Sequence, residues 1–298
     1  MKKYLFNLII KAISKILVII DKIIRIYFKK NSFLPLIHDN IENNQYYSVN
    51  ILNNKYQFFC PSSKTLGRVE SILKREPETI NWINNFKNNK KIVFWDIGAN
   101  IGLYSIYAAI KHKDIEIISF EPSTSNTRAL SRNISINNFH KKIKIFQLAL
   151  SDKENMISYF NETKFVEGNS NSNFNYEFNY QGEYLTEDKI KNKYSIFGTN
   201  INELIKENVI KIPNYIKIDV DGIEDLILKG STDLLSNNEL KELSIELNFG
   251  NKSKYNYIDK LLKSYGFERH ISLNRNLFND KNYIIKENEN LNTIYIRL

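Results

Sequence analysis

The chain has 298 residues, 42% of them hydrophobic and 25% charged, with a net charge of +9. That length holds one sizeable α/β core plus an appendage, or two small domains. The positive balance suits an anionic partner surface, although Lys, Ile and Asn are abundant throughout. The single cysteine, Cys60, excludes a disulfide framework and a thiolate metal site and favours a reducing compartment. The histidines at 38, 112, 140 and 270 show no ligand spacing.

Residues 2 to 30 are apolar with regularly placed charges. At helical spacing Asn7, Lys11, Ser14, Lys15, Asp21, Lys22, Arg25 and Lys29 fall in one arc of about 120°, and Leu, Ile, Val, Phe and Tyr fill the rest. A spanning helix would carry Lys11, Lys15, Asp21 and Lys22 at membrane depth, at about 2.5–3.5 kcal/mol for each charge near the centre. The uninterrupted apolar runs also fall short of the roughly 20 residues a span needs. No small-residue cleavage site follows, so a signal peptide fits poorly. The pattern predicts a helix lying in the membrane interface, basic stripe toward anionic head groups. The alternative is a helix packed on the protein's own core or on a partner.

Residues 31 to 90 read as a cap or lid region, in which 31 to 65, with alternations such as Tyr56-Gln57-Phe58-Phe59, read as small strands or a lid. Ser71 to Phe86 reads as helix interrupted at Glu76-Pro77-Glu78. Pro77 fits the first turn of a new helix with acids near its positive end. That helix would turn Ile80, Trp82 and Ile83 toward a sheet.

Residues 91 to 298 form the main domain and are organised around Val93-Phe94-Trp95-Asp96-Ile97-Gly98-Ala99-Asn100-Ile101-Gly102-Leu103-Tyr104-Ser105. This is a strand, a glycine turn and a helix start, the setting in which α/β folds hold a nucleotide-like ligand at a strand's carboxyl end. Asp96 is expected to point toward that ligand. A carboxylate there repels a pyrophosphate and suits a cation or an amine. The G-x-G-x-x-G spacing of dinucleotide binding is absent. S-adenosylmethionine carries both a sulfonium and an ammonium.

The second strand, Ile115 to Phe120, ends at Glu121-Pro122, where an acid can accept both hydroxyls of a ribose. Ser123 or Thr124 can cap the next helix, whose core positions include Leu130 and Ile134. Ile143 to Leu150 reads as a third strand, followed by Ala149-Leu150-Ser151-Asp152, where an adenine edge can meet the backbone. Residues 161 to 198, rich in Asn, Tyr, Gly and Phe, read as a long insertion over the sheet's carboxyl end. It either selects substrate or is a compositionally biased loop.

The fourth strand runs through Tyr215-Ile216-Lys217-Ile218-Asp219-Val220-Asp221-Gly222, with a helix from Ile223 to Lys229 closed by Gly230. Asp219, Asp221 and Glu224 crowd its end. Such carboxylates can hold an amine or a divalent ion, or one can act as a general base. Glu224 also reads as a first-turn dipole partner and Asp221 as a turn residue. The fifth strand, Leu243 to Asn248, brings Glu246 to the same rim. Asp219, Asp221 and Glu246 are the metal candidates if a divalent ion is used. Tyr257 to Tyr265 reads as a helix, and Ile271 to Leu273 with Thr293 to Leu298 as an antiparallel edge.

The set Arg75-Glu76-Pro77-Glu78, Asp96 to Ser105, Phe120-Glu121-Pro122, Ala149 to Asp152 and Lys217 to Glu224 resembles the FkbM-type methyltransferases in order and spacing, from about residue 56 to 298. The resemblance implies a Rossmann-like class I methyltransferase with a mixed seven-stranded sheet, its last strand antiparallel, and helices on both faces. It implies S-adenosylmethionine as donor, with Asp96, Gly98, Asn100 and Gly102 lining the methionine end and Glu121 on the ribose. Asp219 would lie beside the reacting centre, with Asp219 or Asp221 as candidate catalytic base. The family usually has glutamate where this chain has Asp221, whose shorter side chain retracts the carboxylate.

The resemblance makes an O-methyltransferase acting on a sugar, glycan or related metabolite the default. Two other readings are a catalytically silent membrane-binding module on the same fold and an RNA methyltransferase. The basic and aromatic residues form no RNA-binding motif, and no nucleic acid partner is expected. The expected location is cytoplasmic, at the inner face of the membrane if the N-terminal helix binds there.

Overall fold

The computed structural model describes residues 2–28, 32–87, 89–170, 172–175, 186–208, 210–248, 250–270 and 290–298. Residues Met1–Tyr46 form one compact unit and Tyr47–Leu298 another. In the first, α1 (Lys2–Phe28) realises the helix expected over 2–30, with Lys29 outside the described residues. A helix, α2 (Leu34–Glu42), with Pro35 in its first turn, opens the region read as small strands or a lid. Asp21 ties the two together. Its carboxylate accepts from the Ser32 hydroxyl at 2.6 Å, from the backbone N–H of Phe33 at 2.9 Å and from Arg25 Nε at 2.8 Å. These donors, the Ser32 hydroxyl first, lower its pKa. Among the described residues, no helix is long and apolar enough to cross a membrane.

A hairpin of β1 (Tyr46–Ile51) and β2 (Asn54–Phe59) leads into α3 (Ser63–Glu70), α4 (Ile72–Arg75) and α5 (Pro77–Asn84). Pro77 opens α5 as expected, because the missing N–H costs nothing in a first turn. Trp82 and Ile83 are buried, and Trp82 Nε1 donates to Glu242 at 2.7 Å.

The main domain continues with β3 (Ile92–Ile97), α6 (Leu103–Lys111), β4 (Ile115–Phe120), α7 (Thr124–Ile136) and β5 (Ile143–Phe146). After an intervening segment come α8 (Ile201–Lys206), β10 (Tyr215–Ile218), α9 (Glu224–Lys229), α10 (Thr232–Leu235) and β11 (Glu242–Asn248). The chain closes with α11 (Lys252–Ser264), β12 (Phe267–Arg269) and β13 (Asn290–Arg297). The sheet order is β12-β13-β11-β10-β3-β4-β5. Strands β11, β10, β3, β4 and β5 are mutually parallel, and β13 runs antiparallel to both β11 and β12. This is a mixed seven-stranded sheet of the kind the resemblance implied. The central strands are buried on both faces, which is why they read as apolar runs. Trp95, Phe120, Ile218, Leu228 and Leu243 belong to the core they form. The antiparallel edge begins at β12, while residues 271–273, expected to take part in it, lie outside the described residues.

Two expectations need correction. The third strand does not run on to residue 150. It leaves the sheet after Phe146, and β6 (Ala149–Leu150) pairs instead with β9 (Asn192–Thr199). Of the insertion expected over 161–198, residues 171 and 176–185 lie outside the described residues, and the described part is not irregular throughout. With β7 (Met156–Glu162) and β8 (Ser172–Phe174) it forms a second sheet, ordered β6-β9-β7-β8. Gly198 is needed there because a Cβ would meet the Phe174 ring at 2.3 Å.

Candidate functional site

The strand β3 ends against a turn that only glycine permits at two points. Gly98 has φ +81°, and a Cβ on it would lie 2.0 Å from the Asp219 carbonyl oxygen. Gly102 has φ +82°, and a Cβ would strike Leu130 at 2.3 Å. The backbone N–H groups of Gly98 and Ala99 both donate to Phe120 O, at 2.9 and 3.0 Å. The loop is therefore strapped to the neighbouring strand ends, with Asn100 at its tip also in a left-handed conformation.

Glu121, at the end of β4, is buried and faces this loop. It accepts from the Asn100 N–H at 2.6 Å and from the Ser123 N–H at 2.9 Å. Burial raises its pKa to about 7 against these donors. Asn100 and Asn126 both donate to the carbonyl of Asn169, at 2.8 and 3.1 Å, and Asn126 Oδ1 accepts from the Gly168 N–H. These bonds lace the second sheet's connection onto the loop. A cleft lies at the junction, lined among others by Gly98, Asn100, Glu121, Phe160, Phe174 and Asp219. The Asn169 side-chain nitrogen is buried in its wall without a hydrogen-bond partner.

Beside the cleft sits a charged cluster. Lys217 and Asp219 are two apart on β10 and its extension, so they project to the same side. Lys217 is 1% exposed, ion-paired with Asp219 and 3.7 Å from Glu76. Burial opposes the ammonium, but Asp219, Glu76 and Asp96 hold it protonated. Burial likewise opposes ionisation of Asp219, and Lys217 overcomes it, so its pKa is lowered. Glu246 pays for that pairing: the Asp219 charge and then burial raise it to about 9. Burial raises Glu224 to about 7, and its Oε1 accepts from the Gly222 N–H at 3.1 Å. A smaller pocket next to the loop is lined by Arg68, Arg75, Glu76, Tyr104, Lys217 and Asp219.

The structure brings Gly98, Asn100, Glu121, Asp219 and Asp221 to one cleft. Gly102, the N-cap of α6, lies behind it against Leu130 of α7. Asp96 departs from expectation. It does not line the cleft but is 1% exposed behind the loop, accepting from the Ser105 N–H at 3.1 Å and Ser105 Oγ at 2.6 Å. In the sheet it lies beside Lys217 and Ser119. The reason is the strand's alternation, which turns its carboxylate to the first turn of α6, where N–H groups lack partners. Asp221 accepts from the Ser172 N–H at 3.0 Å, so it fastens the second sheet over the cleft. Among the described residues no three His, Cys, Asp or Glu side chains are arranged to hold a metal ion, and Asp219, Asp221 and Glu246 form no such set. Lys217, Arg68, Asn126 and Asn169 were not foreseen as site residues. A lysine inside an apolar strand is the signal that marks Lys217.

A family model for the methyltransferase FkbM domain matches residues 96–269. The chain is similar to the methyltransferase sdnD of Sordaria araneosa, with 26% identity over 164 residues, 50% of this chain and 62% of sdnD. It is also similar to the AMB antimetabolite synthetase AmbE of Pseudomonas aeruginosa, with 36% identity over 62 residues, 21% of this chain and 3% of AmbE. The matched stretch thus spans less than two thirds of either relative. Among solved structures it is similar to the precorrin-6y C5,15-methyltransferase of Geobacter metallireducens, at 13% identity and TM-score 0.39, covering 86% of this chain and 93% of that one. Another is M. jannaschii TYW2 in complex with AdoMet, at 10% identity and TM-score 0.39, covering 85% and 87%.

Proposed function

The chain belongs to the FkbM methyltransferase family, and from that premise we propose that it transfers a methyl group to a hydroxyl oxygen of a sugar, glycan or related metabolite. The family's donor is S-adenosylmethionine, and the cleft fits it. Glu121 offers a carboxylate where a ribose would lie, and Asn169 offers an unpartnered amide nitrogen in the wall. Gly98, Asn100 and Glu121 are the residues that would hold the donor, with Gly102 and Asp96 shaping the loop from behind. When bound, the donor supplies a methyl group on a positively charged sulfur.

The chain's own residues then do three things. The loop and Glu121 fix one reactant, and the second sheet closes over the cleft. Positioning two bound reactants in this way is worth about 7–11 kcal/mol of the barrier. Asp219, kept ionised by Lys217, presents a negative charge to the cleft and takes the proton from the acceptor hydroxyl. The amide and hydroxyl groups of Asn169, Ser170, Ser172 and Asn173 in the cleft wall suit a hydroxyl-rich acceptor.

The observation that carries this reading is the single cleft shared by Gly98, Glu121 and Asp219 at the carboxyl ends of three parallel strands. The test is incubation of the full chain with methyl-labelled donor and a cell-envelope extract. Label in polysaccharide or a saccharide metabolite is expected. Label in RNA, or none, overturns the acceptor assignment.

A further inference from the structure

The helix α1 exposes almost its whole apolar surface. Leu8, Ile9, Ile16, Ile20, Ile23 and Ile26 are between 41 and 73% exposed. At 100° per residue they spread over roughly a third of the circumference, flanked by Lys11, Lys15, Lys22 and Arg25 on the adjoining arc. Apolar surface of this extent is not left in water without a partner. α2 adds exposed Leu36 and Ile41 and no buried residue.

We propose that α1 docks in the plane of an anionic lipid bilayer, its isoleucines among the acyl chains and its basic arc on the lipid head groups. Two features select a bilayer over another occupant. The apolar band is wider than the two-in-seven seam of a coiled coil, and a second copy would set like-charged arcs side by side. The one acid in the helix, Asp21, is already satisfied by Arg25, Ser32 and the Phe33 N–H, so it presents no free charge to the head groups. The same bonds fix the corner between α1 and α2, so the helix meets the surface at a defined turn. This inference is independent of the acceptor proposed above.

The test is flotation of the full chain with vesicles containing phosphatidylserine and with vesicles of phosphatidylcholine alone. The wild-type chain is expected to float with the anionic vesicles, and high salt should weaken binding by at least about tenfold. Ile16→Asp with Ile23→Asp should abolish binding at any salt. Lys11→Glu with Lys15→Glu should remove the preference for phosphatidylserine. These side chains are exposed, so unchanged circular dichroism and donor binding are expected in both variants. No flotation of the wild-type chain overturns the proposal. So does a stable dimer in light scattering that Ile16→Asp with Ile23→Asp dissociates, which would assign the face to a second copy.

Discussion

Replacing Glu121 by Gln tests the donor site through a charge. In the free protein this carboxyl is buried, held by the Asn100 and Ser123 N–H groups, with a pKa of about 7. Ribose hydroxyls donate to its ionised form, and a hydrogen bond to a charged group contributes about 1.5–3 kcal/mol. At about 1.4 kcal/mol per tenfold change, Glu121→Gln should weaken S-adenosylmethionine binding roughly 10- to 100-fold at pH 8. The sign of the pH effect follows from the raised pKa. Lowering the pH through 7 protonates Glu121 and weakens the acceptor, so wild-type affinity should fall about fivefold between pH 7 and 6. The Gln variant has no such proton to gain, and its slope reports only titration of the donor itself. Isothermal titration calorimetry of both proteins across this range reads the difference directly. Equal affinities at pH 8, or the same slope in both proteins, would refute the assignment of Glu121 to the ribose.

Asp219→Asn should lower turnover by about 10²–10⁴-fold while donor affinity changes less than about threefold; a large loss of donor affinity with normal turnover would contradict its role as base. Asp96→Ala should destabilise the fold by about 3–5 kcal/mol in urea unfolding, because it strips the Ser105 donors of their acceptor and buried Lys217 of a countercharge. Asp96→Asn, which keeps an acceptor oxygen for Ser105, should retain donor affinity within about threefold, and a loss beyond tenfold would place its carboxylate on the donor after all. Glu224 is raised from 4.5 to about 7, so its protonated form is favoured in the fold and its contribution to stability is lost as pH rises through that interval. Glu224→Gln should therefore unfold like wild type at pH 4 but be more stable by about 3 kcal/mol at pH 8. Equal effects at both values would remove burial as the cause of the shift.

The sheet and its loop were legible because buried parallel strands are apolar along their length and end abruptly in Asp96, Glu121 and Asp219. The turn was legible because Gly98 and Gly102 occupy positions where a Cβ collides with neighbouring atoms. What stayed hidden depends on distant partners. Ala149 and Leu150 pair with Gly198 and Thr199, and nothing local to either segment announces that. In β7 and β9 burial alternates only along part of each strand, with Ile157 and Phe197 left exposed, so the period that marks a half-buried strand is blurred. The direction of Asp96 was misread because the strand end was taken as the ligand's side. Asp96 lies in register with Lys217 on the same face of the sheet, and there its carboxylate is taken up by the Ser105 donors of α6. The pairing of Lys217 with Glu76 joins α5's cap to β10 and has no local trace in sequence.

The central claim, that the cleft above β3, β4 and β10 holds the methyl donor, is tested most directly by a crystal structure of the full chain with S-adenosylhomocysteine. The account predicts ribose hydroxyls within hydrogen-bond distance of Glu121, the backbone of Gly98 against the amino-acid end and the sulfur on the Asp219 side of the cleft. A product molecule bound away from Glu121 and Asp219 would contradict it.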